Sequence, residues 1–219
     1  TTRKKNAMQA MYDRVDSGAP CILVGTQMLA KGHHFANITL VAVLDADSGL
    51  FSPDFRSHER LGQLLTQVAG RSGRGKMAGK VILQSHQPDH PLLEVLTQQS
   101  YGEYSTLLRK QRKQAELPPF KQLILVRADA AHAQNAEAFL QSARQCAEAI
   151  FPSGETVNYL GPLPALMERR NSRHRYVLQI SGGRRSDLNF LLSQLVFELE
   201  KLPMARHVRW GVDVDPQEL

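Results

Sequence analysis

Cysteine is nearly absent from this 219-residue chain, which holds only Cys21 and Cys146. A disulfide framework and a cysteine-rich zinc knuckle both need more thiols, so both are excluded, and a reducing cytoplasm is the default setting. Long apolar runs are missing too. None reaches the roughly 20 residues of a membrane helix, and no signal-peptide core precedes the first polar stretch, so no membrane partner is expected. Acidic residues are in deficit, 21 Asp+Glu against 27 Lys+Arg, for a net charge of +6. The chain also lacks an initiator Met, opening on Thr1, and is expected to be a piece of something longer. What is present is ordinary globular composition, with 42% hydrophobic and 22% charged residues, 15 Gly and 11 Pro. That excludes a disordered or fibrous protein.

The length suits one large domain or two small ones. Leu117-Pro118-Pro119 marks a boundary, because proline lacks the N–H and forces the preceding residue out of the α region. Residues 1–116 and 117–219 are therefore expected to be separate domains. Up to Glu116 there are 15 Lys+Arg and 10 Asp+Glu, and beyond it 12 and 11, which splits the charge into +5 and +1. The second part nevertheless gathers Arg169, Arg170, Arg173, Arg175, Arg184 and Arg185 in one block, and electrostatics follows the patch rather than the total.

Apolar spacing at Ala7, Met8, Met11 and Val15 predicts a helix over 3–17 that Gly18 stops. Cys21-Ile22-Leu23-Val24 and the run 38–44 are continuous apolar segments, the pattern of parallel strands covered on both faces. A helix over 54–70, a strand over 79–85 and one or two helices over 91–115 complete an α/β rhythm. Beyond the proline pair the expected order is a strand at 121–128, a helix at 133–150, a strand near 156–160, a strand at 175–181, a helix at 186–202 and a strand at 207–214. That is β-α-β-β-α-β, the ferredoxin-like split pattern.

Two segments carry chemistry. In Gln67-Val68-Ala69-Gly70-Arg71-Ser72-Gly73-Arg74, two guanidiniums three residues apart share one face of a helical turn. Arg71 and Arg74 have the planar fork that grips phosphate oxygens and, set against a γ-phosphate, stabilises transition-state charge. The alternative is a solvated helix end where Arg meets the macrodipole. Upstream, Gly25-Thr26 closes an apolar strand and opens a short helix, offering backbone N–H groups and a hydroxyl to a nucleic-acid phosphate. The adjacent pair His33-His34 makes a poor metal site: adjacent side chains diverge, and only Asp45 and Asp47 offer further ligands.

The strings GTQMLAKGHHF and DADSGLFSPDFRSHERLGQLLTQVAGRSGR together resemble the second RecA-like lobe of a superfamily-two helicase. More specifically they resemble the primosomal replication-restart helicase family, and the resemblance runs on through LPPF and the closing WGVDVDP. It implies that Gly25 and Thr26 with Gln27 to Phe35 form helicase motif V, and that Gln67, Gly70, Arg71 and Arg74 form motif VI. Arg71 and Arg74 are then the catalytic pair, Gln67, Gly70 and Gly32 join them in binding ATP, and Gly25, Thr26, Gln27 and Lys31 hold DNA. His34 stands where generic helicases of this superfamily carry an acidic residue. The fold implied is an incomplete RecA-like parallel-sheet lobe followed by a small α+β domain that contacts DNA and protein partners. Single-stranded and forked DNA, the acidic tail of single-stranded-DNA-binding protein and primosome loader proteins are the implied partners, with Arg184, Arg185 and Asn189 as the contact for the tail. ATP and Mg²⁺ are implied for the intact enzyme, as is zinc, whose ligands lie outside this chain.

An ATPase of this kind needs a phosphate loop with a Lys and a magnesium-binding hydroxyl. The span from Gly70 to Lys76 has the GxxxxGK spacing, but Met77 replaces the hydroxyl and the segment follows a helix rather than a strand. The chain therefore supplies the arginine side of a nucleotide cleft and is expected to be inactive alone. Two other readings remain: a noncatalytic DNA- and protein-binding module, or a lobe of a branch-migration or RNA helicase. Plainer readings hold elsewhere. Trp210 is a core anchor of the last strand, Cys21 a buried and inert strand residue, and Arg109 to Lys113 a solvated basic helix face; the Arg block reads equally as an edge that guards a strand against aggregation and as a docking site for an acidic partner, DNA phosphate or an acidic tail.

Overall fold

The computed structural model describes residues 10, 11, 13–15, 17–26, 38–70 and 79–219. Residues 10, 11 and 13–15 are helical, and Gly18 ends the segment at φ 75, the left-handed conformation that glycine adopts at least cost. Contacts divide the chain into two units, one running to Ser52 and from Arg56 to Leu108, the other comprising Pro53–Phe55 and Arg109–Leu219.

In the first unit, strand β1 (Leu40–Val43) pairs in parallel with β2 (Lys80–Leu83). Parallel neighbours need a crossover, and it runs through α1 (Asp47–Leu50) and α2 (Ser57–Ala69). Helix α3 (Pro91–Gln98) begins with Pro at its first position, and the His90 ring accepts the Leu92 N–H at 3.2 Å. Helix α4 (Tyr101–Gln114) opens on a capping box: the Ser100 N–H donates to the Glu103 carboxylate at 2.8 Å while the Glu103 N–H donates to Ser100 Oγ at 3.3 Å. The Ser100 N–H, and after it the Ser100 hydroxyl donating at 2.9 Å, hold the Glu103 carboxyl below its usual pKa. The core gathers Ala46, Leu50, Leu61, Leu65, Leu92, Leu93, Tyr104 and Leu108.

The expected strand at Cys21–Val24 does not form. Its residues pair with no described strand, and Ile22 and Val24 are 92% and 84% exposed. An apolar run becomes a strand only where a neighbour takes its backbone N–H and C=O groups, and Cys21 is correspondingly exposed rather than buried.

The second unit follows the order β3 (Gln122–Ala130), α5 (Ala133–Ile150), β4 (Val157–Arg170), β5 (Arg173–Gly182), α6 (Arg185–Lys201), a 3₁₀ turn at Pro203–Arg206 and β6 (Arg209–Val214). The four strands form one antiparallel sheet in the order β4-β5-β3-β6. Strand side chains alternate between faces. Ile124, Val126, Ala128 and Ala130 of β3, with Leu178 and Ile180 of β5, meet Phe139, Leu140 and Ala143 of α5 and Leu191, Leu195 and Leu199 of α6 in one core. Trp210 packs against that core, its ring centroid 5.7 Å from Phe139. The molecule is thus mixed α/β, with one parallel and one antiparallel sheet.

Candidate nucleic-acid and partner interface

Leu61, Leu65 and Val68 recur at helical spacing and bury one face of α2, which leaves Gln67 on the exposed face. The helix is held from both ends of the unit's core. His58 Nε2 bonds the Leu50 carbonyl at 2.7 Å, and the Tyr104 hydroxyl donates to the His58 carbonyl at 2.6 Å. Gly70 stays in the right-handed region at φ −68 and ψ −8, its N–H donating to the Thr66 carbonyl at 3.0 Å. Its backbone is one that any residue adopts, and a Cβ there would meet the Thr66 and Gln67 carbonyl oxygens at 3.4 and 3.8 Å. Gln67 and Gly70 are both exposed at the exit of α2. Gly25 and Thr26 are exposed and belong to no element. Gln27, Lys31, Gly32, His34, Arg71 and Arg74 lie outside the described residues.

Asp47 is engaged at the end of β2: Ser85 Oγ donates to it at 2.6 Å and the His86 N–H at 2.8 Å. The serine bond, then the backbone bond, hold its carboxyl below the usual value. Among the described residues no group of three His, Cys, Asp or Glu is arranged to hold a metal ion.

In the second unit Arg184 stands at the N-cap of α6 and pairs with Asp187 at 3.0 Å, while Arg185 pairs with Asp215 at 3.3 Å. Both guanidiniums remain largely in solvent, 70% and 67% exposed, so these pairs are loose and open to competition by another anion. Asn189, one turn on, shares an open face of α6 with Leu192, Ser193, Val196, Phe197 and Glu200. Arg185 and Asn189 lie one turn apart in the first half of the helix, beside an open face that carries Leu192, Val196 and Phe197. Arg112, expected on a solvated face, instead stacks its guanidinium 5.2 Å from the Phe55 ring centroid.

One feature escapes a reading of the sequence. On the sheet face turned away from α5 and α6, Arg127 and Arg209 join Arg170, Arg173 and Arg175 around a cleft of about 350 Å³. Arg127 and Arg209 lie 82 residues apart in the chain, and only the pairing of β3 with β6 brings them together. Their position on alternating strands is the one signal the sequence carries, and it says which face but not which neighbour.

The fold is mixed α/β, and the second unit gathers arginines on the open face of its sheet and at the start of α6. Residues 113–217 match the family model described as Primosomal protein N C-terminal domain. Over all 219 residues the chain is 39% identical to the Replication restart protein PriA of Haemophilus influenzae, of which it covers 30%. It is 38% identical over 216 residues to the protein of that name in Synechocystis sp., covering 25% of it, and 33% identical over 216 residues to that of Bacillus subtilis, covering 27%. The chain belongs to this primosomal replication-restart family, and it spans under a third of the length of these curated relatives.

Proposed function

We propose that this chain is the arginine-bearing portion of an ATP-dependent DNA helicase that restarts stalled replication forks by unwinding DNA and assembling the primosome. The observation that carries the reading is the similarity over the whole chain to replication restart proteins. Residues 1–116 act as the second RecA-like lobe; the parallel β1–β2 pair with its helical crossover supports this. Residues 117–219 act as a ferredoxin-like domain, supported by the element order and the β4-β5-β3-β6 sheet. Its place of work is the cytoplasm, where a replication protein meets its DNA. No described helix is long and apolar enough to cross a membrane.

In the intact enzyme Arg71 and Arg74 reach the phosphates of ATP held with Mg²⁺ by a separate lobe, and Gln67 and Gly70 border that site at the exposed exit of α2. The nucleotide supplies the phosphoryl group; the arginines stabilise the charge that develops on it, an effect worth about 10³–10⁵ in rate. Gly25, Thr26, Gln27 and Lys31 hold the single strand. Among the described residues there is no zinc donor set: Cys21 is exposed in an irregular segment and Cys146 is half-buried within α5. Burial raises the Cys146 thiol above its usual pKa, which disfavours the thiolate a metal needs. Arg184, Arg185 and Asn189 receive an acidic partner segment, the tail of single-stranded-DNA-binding protein; primosome loaders are the further partners.

The test is Arg74→Ala in the full-length protein. DNA-stimulated ATP hydrolysis is expected to vanish while DNA affinity is largely kept; unchanged turnover overturns the assignment.

A further inference from the structure

The N-cap residue of α2 is Arg56, and its side chain makes no cap bond, where Ser, Thr, Asp or Asn would ordinarily fix the first turn. The start of the helix is held by contacts from elsewhere in the chain. His58 is tied to the Leu50 carbonyl and to the Tyr104 hydroxyl. Ahead of the helix, Arg112 of α4 grips Phe55: its guanidinium stands 5.2 Å from the ring centroid, and Nη2 donates to the Phe55 carbonyl at 3.4 Å. Among Arg109 to Lys113, Arg112 alone is half-buried. It falls one turn beyond Leu108 on the face that buries Tyr104 and Leu108. Phe55 and Arg112 both belong to the second unit, while α2, which starts two residues after Phe55, belongs to the first.

We propose that Arg112 is a positioning residue for ATP hydrolysis: by gripping Phe55 it fixes where α2 begins, and with it where the string at 67–74 stands at the far end. The inference rests on the proposed function and ties turnover to a residue of the second unit. A helix of 13 residues is about 20 Å long and moves as one rigid element. An offset at its start therefore reaches its exit. An arginine that meets a phosphate in the transition state tolerates little of this, since a displacement of about 1 Å can cost about 10²-fold in rate. Arginine suits the grip. Its flat, permanently charged fork stacks on a ring and donates to a carbonyl at once, which a point charge on a flexible stem does not reproduce. Helix α4 thus supplies two ties to the same helix start, Tyr104 at its first turn and Arg112 at the approach to it.

The test is ATP turnover by the full-length protein carrying Phe55→Leu, Arg112→Gln or both, beside Phe55→Tyr, which keeps the ring. Each disrupting variant is expected to lower the DNA-stimulated kcat between about 10- and 100-fold. The KM for ATP and the number of DNA-binding sites per molecule are expected to stay as in the parent. That split means ground-state binding is kept and an interaction made only in the transition state is lost. The double variant is expected to be no slower than the slower single one, because the pair acts as one contact, and Phe55→Tyr to keep the parent kcat. Should Phe55→Leu not fold, Arg112→Gln carries the test alone, on a stretch of helix where Gln111 and Lys113 are exposed. The parent kcat in Arg112→Gln overturns the proposal, and so do losses that multiply in the double variant. A fall in DNA-binding sites that matches the fall in kcat also overturns it, making the contact one that only keeps the protein folded. No DNA-stimulated turnover by the unaltered full-length protein refutes the proposed function, and this inference with it.

Discussion

Gly62 sits beneath the ring of Tyr104: a Cβ at that position would lie 2.4 Å from Tyr104 Cε1. Tyr104 is wholly buried, and its hydroxyl is fixed to the His58 carbonyl, so the ring has nowhere to retreat. Gly62→Ala is expected to cost about 1–3 kcal/mol by overpacking, seen as a lower urea midpoint; an unchanged midpoint contradicts the contact. Tyr104 and Tyr159 also set an alkaline limit. Burial foremost, then Tyr101 for the one and Glu148 for the other, pushes both hydroxyls from the usual 10 up to about 12. A raised pKa in the folded state means that stability is intact below pH 10 and falls as pH rises from there toward 12. Tyr159→Phe removes the hydroxyl whose single proton is donated to the Phe151 carbonyl at 2.7 Å, with the Ala147 carbonyl at 3.2 Å, and is expected to cost about 1 kcal/mol at neutral pH. The same change should flatten the loss of stability between pH 10 and 12, and a parallel alkaline limb in both proteins refutes the assignment.

At the scale of elements, α6 carries the partner hypothesis. Its start holds two cations already paired with Asp187 and Asp215, at the head of an open face that carries Leu192, Val196 and Phe197. Reversing Arg184 and Arg185 to Glu is expected to weaken binding of an acidic, apolar-ended peptide and to remove its salt dependence; unaltered affinity makes the patch plain surface. Elements with strong periodicity are legible in the sequence: helix α5 occupies 133–150 as its apolar spacing predicts, because one face buries Ala136, Phe139, Leu140, Ala143 and Ala147. Strand β4 is not. Pro162 and Pro164 suggest an end near 160, yet the strand runs to Arg170, since an edge strand tolerates proline with bulges at Leu160/Leu163 and Pro164/Arg169. The short α1 turn carries no periodic signal at four residues. The failed strand at Cys21–Val24 has the opposite cause: its local pattern is right, and no described strand pairs with it. The arginine cleft is half-legible, as Arg170, Arg173 and Arg175 are neighbours in sequence while Arg127 and Arg209 arrive only through strand order.

For the whole molecule, the +6 charge divides into +5 before residue 117 and +1 after it, yet the nearly neutral part holds the most concentrated cation cluster among the described residues. Net charge by itself points to the other unit, because a total cannot say how closely its charges are gathered. The relatives are more than three times as long, so the string at 67–74, proposed as helicase motif VI, needs no phosphate loop within these 219 residues. The central claim is that this chain is one side of a nucleotide cleft. The most direct measurement is ATP turnover by the 219-residue chain beside that of the full-length protein, each with and without single-stranded DNA. No turnover from the chain and DNA-stimulated turnover from the full-length protein is the predicted result. DNA-stimulated hydrolysis by the chain alone, or none by the full-length protein, would contradict it.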